Sequence, residues 1–276
     1  MIIRACLIAL PLCLMTALGA FAQTKDRLDR RDKLLGFESV GRLDSATGHC
    51  TAVLITRDVA LTAAHCVHGK GSRFVFRAGY SDGSAIATRT ATDVAIAEGY
   101  LQAITRGDDA GAIAHDVALV RLSSPIFEPG ADPYDIAATP RPGTALTLAS
   151  YGQGRMEALT LERGCALHTL YRGGIVGIDC DATFGSSGAP VFVQDAGRTR
   201  IVSIVSSGTT AGNGALETLG VALTEIVPVL IRELQAKRSL APINTGAKRI
   251  VVGVPDSDES GGGSGGARFV KPPKSN

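Results

Sequence analysis

Little in this chain points to nucleic acid, lipid or metal. The formal net charge is only +2 over 276 residues, so no excess of basic charge draws it to a polyanion or an anionic membrane surface. No Cys-Xaa-Xaa-Cys and no His-Xaa-Xaa-Xaa-His occurs, so neither a metal nor a cofactor is expected. The acidic opening of Asp256 to Gly266 lacks the glycine and distal glutamate spacing of a calcium loop. The one long apolar run, Ala5 to Ala20, is slightly short for a membrane span and holds Pro11 inside it. With Arg4 ahead and Ala20-Phe21-Ala22 behind, residues 1–22 read as a secretory signal peptide cut after Ala22, which leaves no stable membrane anchor. Leu10-Pro11-Leu12-Cys13 fails as a lipoprotein box because proline stands where a small residue is needed.

Removal of the signal takes away Cys6 and Cys13 and leaves Cys50, Cys66, Cys165 and Cys180. An even number of cysteines in an exported chain implies two disulfides, with three pairings open. Residues 23–37 form a charged arm or propeptide with too few apolar residues to pack. Folded sequence starts near Val40. From there short apolar and β-branched runs alternate with Gly, Asp and Ser: 51–56, 59–62, 73–78, 88–97 and 117–122, then 145–150, 166–171, 175–179, 190–194, 200–206 and 219–223. Short strands at regular spacing, with no long helical period, predict an all-β barrel or sandwich. The proline-rich stretch Ser123 to Pro142 suits an irregular crossing between two halves. Val227 to Lys237 repeats apolar residues at helical spacing, and this C-terminal helix is expected to pack on the second half. Residues 239–276 lose pattern and become Gly- and Ser-rich, a flexible tail.

Three segments carry residues that work together in nucleophilic catalysis. Leu61-Thr62-Ala63-Ala64-His65-Cys66 supplies a base, Asp116 before the apolar run Val117 to Leu122 supplies an orienting acid, and Gly185-Ser186-Ser187-Gly188-Ala189-Pro190 supplies a hydroxyl. A serine hydroxyl is a poor nucleophile unless an imidazole takes its proton, and a carboxylate fixes the imidazole tautomer. A carboxylate at the mouth of an apolar strand is costly unless paired. Taken singly each segment has a blander role, as a structural histidine, a turn aspartate or a hairpin. His49, His68, His115 and His168 have no partners at metal spacing and are expected at the surface or in turns.

In the order His, Asp, Ser, these segments resemble the chymotrypsin/trypsin-like serine peptidases. Ala149-Ser150-Tyr151-Gly152 and Ile204-Val205-Ser206-Ser207-Gly208 resemble two further stretches of that family, the latter its substrate-pairing strand. The resemblance covers approximately residues 38–238. It implies two six-stranded antiparallel β-barrels, about 38–128 and 143–238, with a C-terminal helix. It also implies catalytic His65, Asp116 and Ser187, an oxyanion hole from the amides of Gly185 and Ser187, and protein or peptide substrates cut by a monomer. Cys50 stands sixteen residues before Cys66, the family's loop for a disulfide beside its histidine, which leaves Cys165 to pair with Cys180. Counting back from Ser187 places Asp181 at the base of the primary pocket, with Ser206, Gly208 and Gly220 around it, and so implies preference for Arg or Lys. Val205 stands where glutamyl-specific relatives place a histidine. One departure is marked: the family's Asp before the nucleophile, which binds the freshly cut N-terminus, is Ser186 here. Activity independent of a liberated amine is therefore expected. The other readings are a silent homologue that only binds and a narrow esterase on the same fold.

Overall fold

The computed structural model describes residues 24–210 and 216–240; the expected signal peptide, 1–22, and the expected tail beyond residue 240 lie outside them. In chain order the strands are β1 Thr24–Arg27, β2 Val40–Ser45, β3 Gly48–Thr56, β4 Val59–Thr62, β5 Val75–Ala78, β6 Ala87–Ile96 and β7 Ala118–Leu122. They continue as β8 Ala145–Ser150, β9 Thr160–Leu170, β10 Ile175–Ile178, β11 Pro190–Asp195, β12 Arg198–Thr210 and β13 Leu216–Ala222. Among the described residues the helices are α1 Arg31–Leu34, α2 Glu98–Arg106, α3 Asp109–Ala114 and α4 Ile226–Leu240.

β2-β3-β4-β7-β6-β5 closes into one antiparallel barrel. A second closes as β9-β10-β13-β12-β11-β8, because β8 pairs back onto β9 from Ala145↔Ala166 to Ser150↔Thr160. Closure removes the open edges that a flat sheet would leave for aggregation. Alternation decides which side chains go inside: Leu43, Leu54, Leu61, Phe76 and Leu119 fill the first barrel, and Leu146, Leu148, Val176, Val191 and Val202 the second. Each such side chain contributes roughly 1.5–3 kcal/mol by leaving water. The predicted double barrel and both disulfides, Cys50–Cys66 and Cys165–Cys180, are present. No helix among the described residues is long and apolar enough to cross a membrane.

Three features differ from expectation. The charged stretch does pack: β1 adds a seventh strand to the second barrel by pairing antiparallel with β9. Leu28 and Leu34 are its buried anchors, and the amide of Leu28 donates to Leu159 at 2.8 Å. Charged residues outnumber these anchors, and strand pairing satisfies the backbone whatever the side chains are. Secondly, α4 docks on the first barrel, against β6 and β7. It buries Val227, Leu230 and Leu234, and Lys237 Nζ donates to the Val94 carbonyl at 2.9 Å. An apolar stripe says that a helix packs, not which barrel it meets. Thirdly, α2 and α3 fill the connection before β7. Both are short, and their ends carry local signals: Glu98 at the start and Arg106 at the end of α2, left-handed Gly107 after it, and Asp108 capping α3 by accepting from the Gly111 amide at 2.9 Å.

Candidate active site

α3 delivers the chain directly into Asp116, which is 2% exposed between the two barrels. Three donors meet this carboxylate. The His65 amide donates to Oδ1 at 2.9 Å, and Oδ2 takes both His65 Nδ1 at 2.6 Å and Ser206 Oγ at 2.6 Å. Such satisfaction offsets the desolvation cost of a buried carboxylate. A carboxylate only accepts, so Nδ1 carries a proton, and in the neutral imidazole the lone pair is then on Nε2. Tyr100 lies behind, and burial together with the Asp116 charge raises its phenol above the ordinary range, so it stays neutral.

His65 sits in a 3₁₀ turn, Ala64–Cys66, and Cys66 is bonded to Cys50 on β3. The crosslink restrains the base from one side while Asp116 holds it from the other. The sulfurs of Cys50 and Cys66 and a His65 ring nitrogen cluster as metal ligands could. Bonded to each other, the sulfurs offer no thiolate, and the cluster is a by-product of the disulfide.

Ser187 lies on the loop between β10 and β11, turned by Gly185 (φ +92) and Gly188 (φ +76). Space also requires glycine at both positions. A Cβ on Gly185 would stand 2.5 Å from His49 Nε2 and 2.5 Å from the Tyr151 carbonyl, and one on Gly188 only 2.2 Å from Thr62 Oγ1. Ser186 is fully buried, donating to Ser150 Oγ at 3.2 Å and accepting from the Thr183 amide at 3.3 Å. Both hydrogen-bond partners of the Ser186 hydroxyl are thus neutral, where a carboxylate would have needed a cation.

His65, Gly185 and Ser187 line one cavity of about 1050 Å³, together with Val205, Ser206 and Gly208. Among the described residues the amides of Gly185 and Ser187 have no intramolecular acceptor. The Phe184 carbonyl accepts from the Gln153 amide at 2.6 Å; across a trans peptide this turns the Gly185 N–H the other way. Ser187 Oγ and His65 Nε2 share the cavity without a hydrogen bond between them. Catalytic hydrogen bonds are often long in an empty site and tighten with substrate.

Two predicted pocket residues fall elsewhere. Asp181 lines an adjoining cavity of about 360 Å³, where its carboxylate accepts from Lys25 Nζ. Gly220 lines neither cavity, pairing inside the sheet with Val176 and Val205, and Thr218 lines the adjoining cavity instead. A count along the chain fixes sequence distance, whereas the loop's path fixes which cavity a side chain enters.

Sequence reasoning missed Thr51. Fully buried on β3, it donates through Oγ1 to the Gly185 carbonyl at 2.8 Å, accepts there from the Tyr151 amide at 3.0 Å, and donates its own amide to the Ser187 carbonyl at 2.9 Å. It is where the first barrel holds the serine loop of the second. Threonine is common on strands, and no local pattern marks this one. His49 is also no mere surface residue: its Nε2 lies 2.9 Å from the Tyr151 carbonyl at the cavity wall. His168 pairs with Asp179 at 3.0 Å.

Two closed barrels with such a seam define the class of the chymotrypsin-like serine peptidases. The family model of the trypsin-like peptidase domain matches residues 50–201, more than half of the chain, and the chain belongs to that family. A "Trypsin-like protease" of Streptomyces glaucescens is 31% identical over 188 residues, covering 58% of this chain and 65% of the relative, so the chain spans somewhat less than two thirds of that protein. Among solved structures, a Glu endopeptidase superposes with a TM-score of 0.63 at 19% identity, covering 76% of this chain and 96% of that one. The protease Anisep of Arthrobacter nicotinovorans superposes at 0.57 and 18% identity, covering 72% and 96%.

Proposed function

We propose that this protein is an exported serine endopeptidase in which Ser187 is the nucleophile, His65 the general base and Asp116 the orienting acid. The observation that carries this reading is the buried Asp116 carboxylate, which holds His65 through both the backbone amide and Nδ1 in the cavity that Ser187 also lines. As Ser187 Oγ attacks the substrate carbonyl, its proton passes to Nε2, and Asp116 stabilises the resulting imidazolium. The amides of Gly185 and Ser187 receive the oxyanion. Collapse expels the amine, which takes the proton from Nε2. Water then repeats the sequence on the acyl-enzyme, with His65 again accepting and returning the proton.

Export rests on the signal-like residues 1–22 and on two disulfides, which suit an oxidising compartment. The N-terminal amine has no charged partner to find at Ser186, so activity does not depend on a particular new N-terminus. Preference for Arg or Lys would rest on Asp181. Because Asp181 already carries Lys25 outside the main cavity, and Ala182, Val205 and Gly208 line the wall near Ser187, the substrate side chain entering there is uncharged. The unformed Ser187–His65 hydrogen bond favours a competing reading, a silent homologue that only binds. The two are separated by labelling the oxidised mature protein with a fluorophosphonate, beside Ser187→Ala. Labelling confined to the wild type supports the peptidase; a folded wild type that takes no label rejects it.

A further inference from the structure

Two backbone amides of the serine loop are free to receive an oxyanion, and one of them belongs to a peptide that its own residues leave loose. The amides of Ser186, Gly188 and Ala189 donate to the carbonyls of Thr183, Val205 and Ser186 at 2.9, 2.7 and 2.9 Å, while those of Gly185 and Ser187 have no acceptor among the described residues. The Gly185 N–H is part of the Phe184–Gly185 peptide. Phe184 is 86% exposed, so its side chain gives that peptide no packing. Gly185 has no side chain, and a half-turn of the peptide carries its φ from +92 to about −90, a sign that glycine accepts as readily. The turned peptide would present a carbonyl oxygen where an oxyanion needs a donor.

Gln153 opposes that turn. Its backbone amide donates to the Phe184 carbonyl at 2.6 Å, which draws this oxygen toward residue 153 and sends the Gly185 N–H to the opposite side. The donor is itself fixed. Gly152 to Arg155 form a turn closed by the Arg155 amide on the Gly152 carbonyl at 2.8 Å, with left-handed Gly154 (φ +76) in third place, the pattern of a type II turn. Tyr151 before it is fully buried, and its carbonyl lies 2.9 Å from His49 Nε2. Gly152 sits so close to the serine loop that a Cβ would stand 2.5 Å from Thr183 Oγ1 and 2.9 Å from Ser186 Oγ. We infer that Gln153 is a positioning residue for the oxyanion hole: its backbone amide holds the Phe184–Gly185 peptide in the orientation that turns the Gly185 N–H into the cavity. Its consequence for catalysis rests on the peptidase reading, whereas the orientation of the peptide does not.

Proline suits the second place of a type II turn and has no N–H, so Gln153→Pro removes the donor and keeps the turn. Gln153→Ala keeps the N–H and is the reference for loss of the side chain. With succinyl-Ala-Ala-Ala p-nitroanilide as substrate, kcat of Gln153→Pro should fall at least about tenfold below that of Gln153→Ala, toward the roughly 10²–10³-fold loss of a missing oxyanion donor. KM of the two should agree within about threefold, since the donor acts on charge that develops after binding. Crystal structures read the peptide directly: its amide should face the cavity in wild type and Gln153→Ala, and should be turned or split between two orientations in Gln153→Pro. Near-UV circular dichroism establishes folding; if Gln153→Pro unfolds, Gly152→Ala, whose methyl pushes the turn off the serine loop, is the deciding variant and should show the same kcat loss and the same turned peptide. A folded Gln153→Pro with kcat within about twofold of Gln153→Ala, or with its loss in KM alone, overturns the inference. So does a wild-type structure with the Phe184 carbonyl in the cavity, or a Gln153→Pro structure with the peptide unmoved. Wild type that neither cleaves nor takes a fluorophosphonate removes the catalytic reading, and the crystal structures still decide whether Gln153 holds the peptide.

Discussion

Gly188→Ala, set beside Gly197→Ala, separates backbone strain from the packing of the seam. The two glycines have almost the same torsion, φ +76 and φ +77. Their surroundings differ. A Cβ on Gly197 meets nothing within 4 Å, whereas one on Gly188 falls 2.2 Å from Thr62 Oγ1, 2.4 Å from the Thr51 carbonyl and 2.8 Å from the Ala63 amide. A non-glycine residue in the left-handed region costs about 1–2 kcal/mol, and this is the whole cost expected at 197. At 188 two of the three obstacles are backbone, so overpacking adds about 1–3 kcal/mol, for a total of about 2–5 kcal/mol. With roughly 2–4 °C lost per kcal/mol in a domain of this size, Gly197→Ala should melt about 2–8 °C below wild type and Gly188→Ala about 4–20 °C below. Scanning calorimetry of the oxidised protein reads both. Because Gly188 follows Ser187 directly, its variant should also lose fluorophosphonate labelling, while Gly197→Ala keeps it. Equal melting temperatures for the two would refute the tight seam, and with it the idea that the first barrel positions the serine loop.

Asp116→Asn should lower kcat by about 10⁴-fold with little change in KM, since an amide no longer enforces the tautomer that leaves Nε2 free; a stopped-flow or spectrophotometric peptide assay checks this, and a loss under tenfold would deny Asp116 its role. Thr51→Val removes the donor to the Gly185 carbonyl and the acceptor for the Tyr151 amide, so stability should fall by about 2–4 kcal/mol in urea unfolding and labelling of Ser187 should slow in parallel. The carboxyl of Glu157 is held below the ordinary range, first by the hydrogen bond from Tyr80 and then by Arg42, which outweigh its burial. A depressed carboxyl stabilises the fold above its unfolded pKa, and that contribution disappears as the pH falls through the lower folded value. Glu157→Gln should therefore melt about 1–4 °C below wild type at pH 7 and show no such deficit in strong acid, as read by melting curves across the pH range; a deficit that persists in acid would count against the Tyr80–Glu157 link.

Much of the fold was legible because barrel strands announce themselves locally. Runs such as Val59–Thr62 and Ala145–Ser150 have the predicted bounds, and β-branched residues between turn formers leave a short chain few other ways to bury apolar surface. The proposed triad of His65, Asp116 and Ser187 was suggested for a similar reason, each member marked by its immediate neighbours: the disulfide cysteine, the buried strand and the flanking glycines. The helices before Asp116 escaped because each is short, nine and six residues, which gives a helical period too few turns to outweigh a surrounding β pattern.

By itself, then, the sequence determined the strand pattern, the cysteines available for pairing, and which three segments could supply a base, an acid and a nucleophile, since all of these depend on residues close together in the chain. Tertiary structure alone decided that Thr51 ties the serine loop to the first barrel, that α4 chooses that barrel, and that Asp181 faces Lys25 in a separate cavity instead of the space beside Ser187. These depend on strand register and loop path, and both are set by the packing of residues more than a hundred positions apart, which no local pattern encodes.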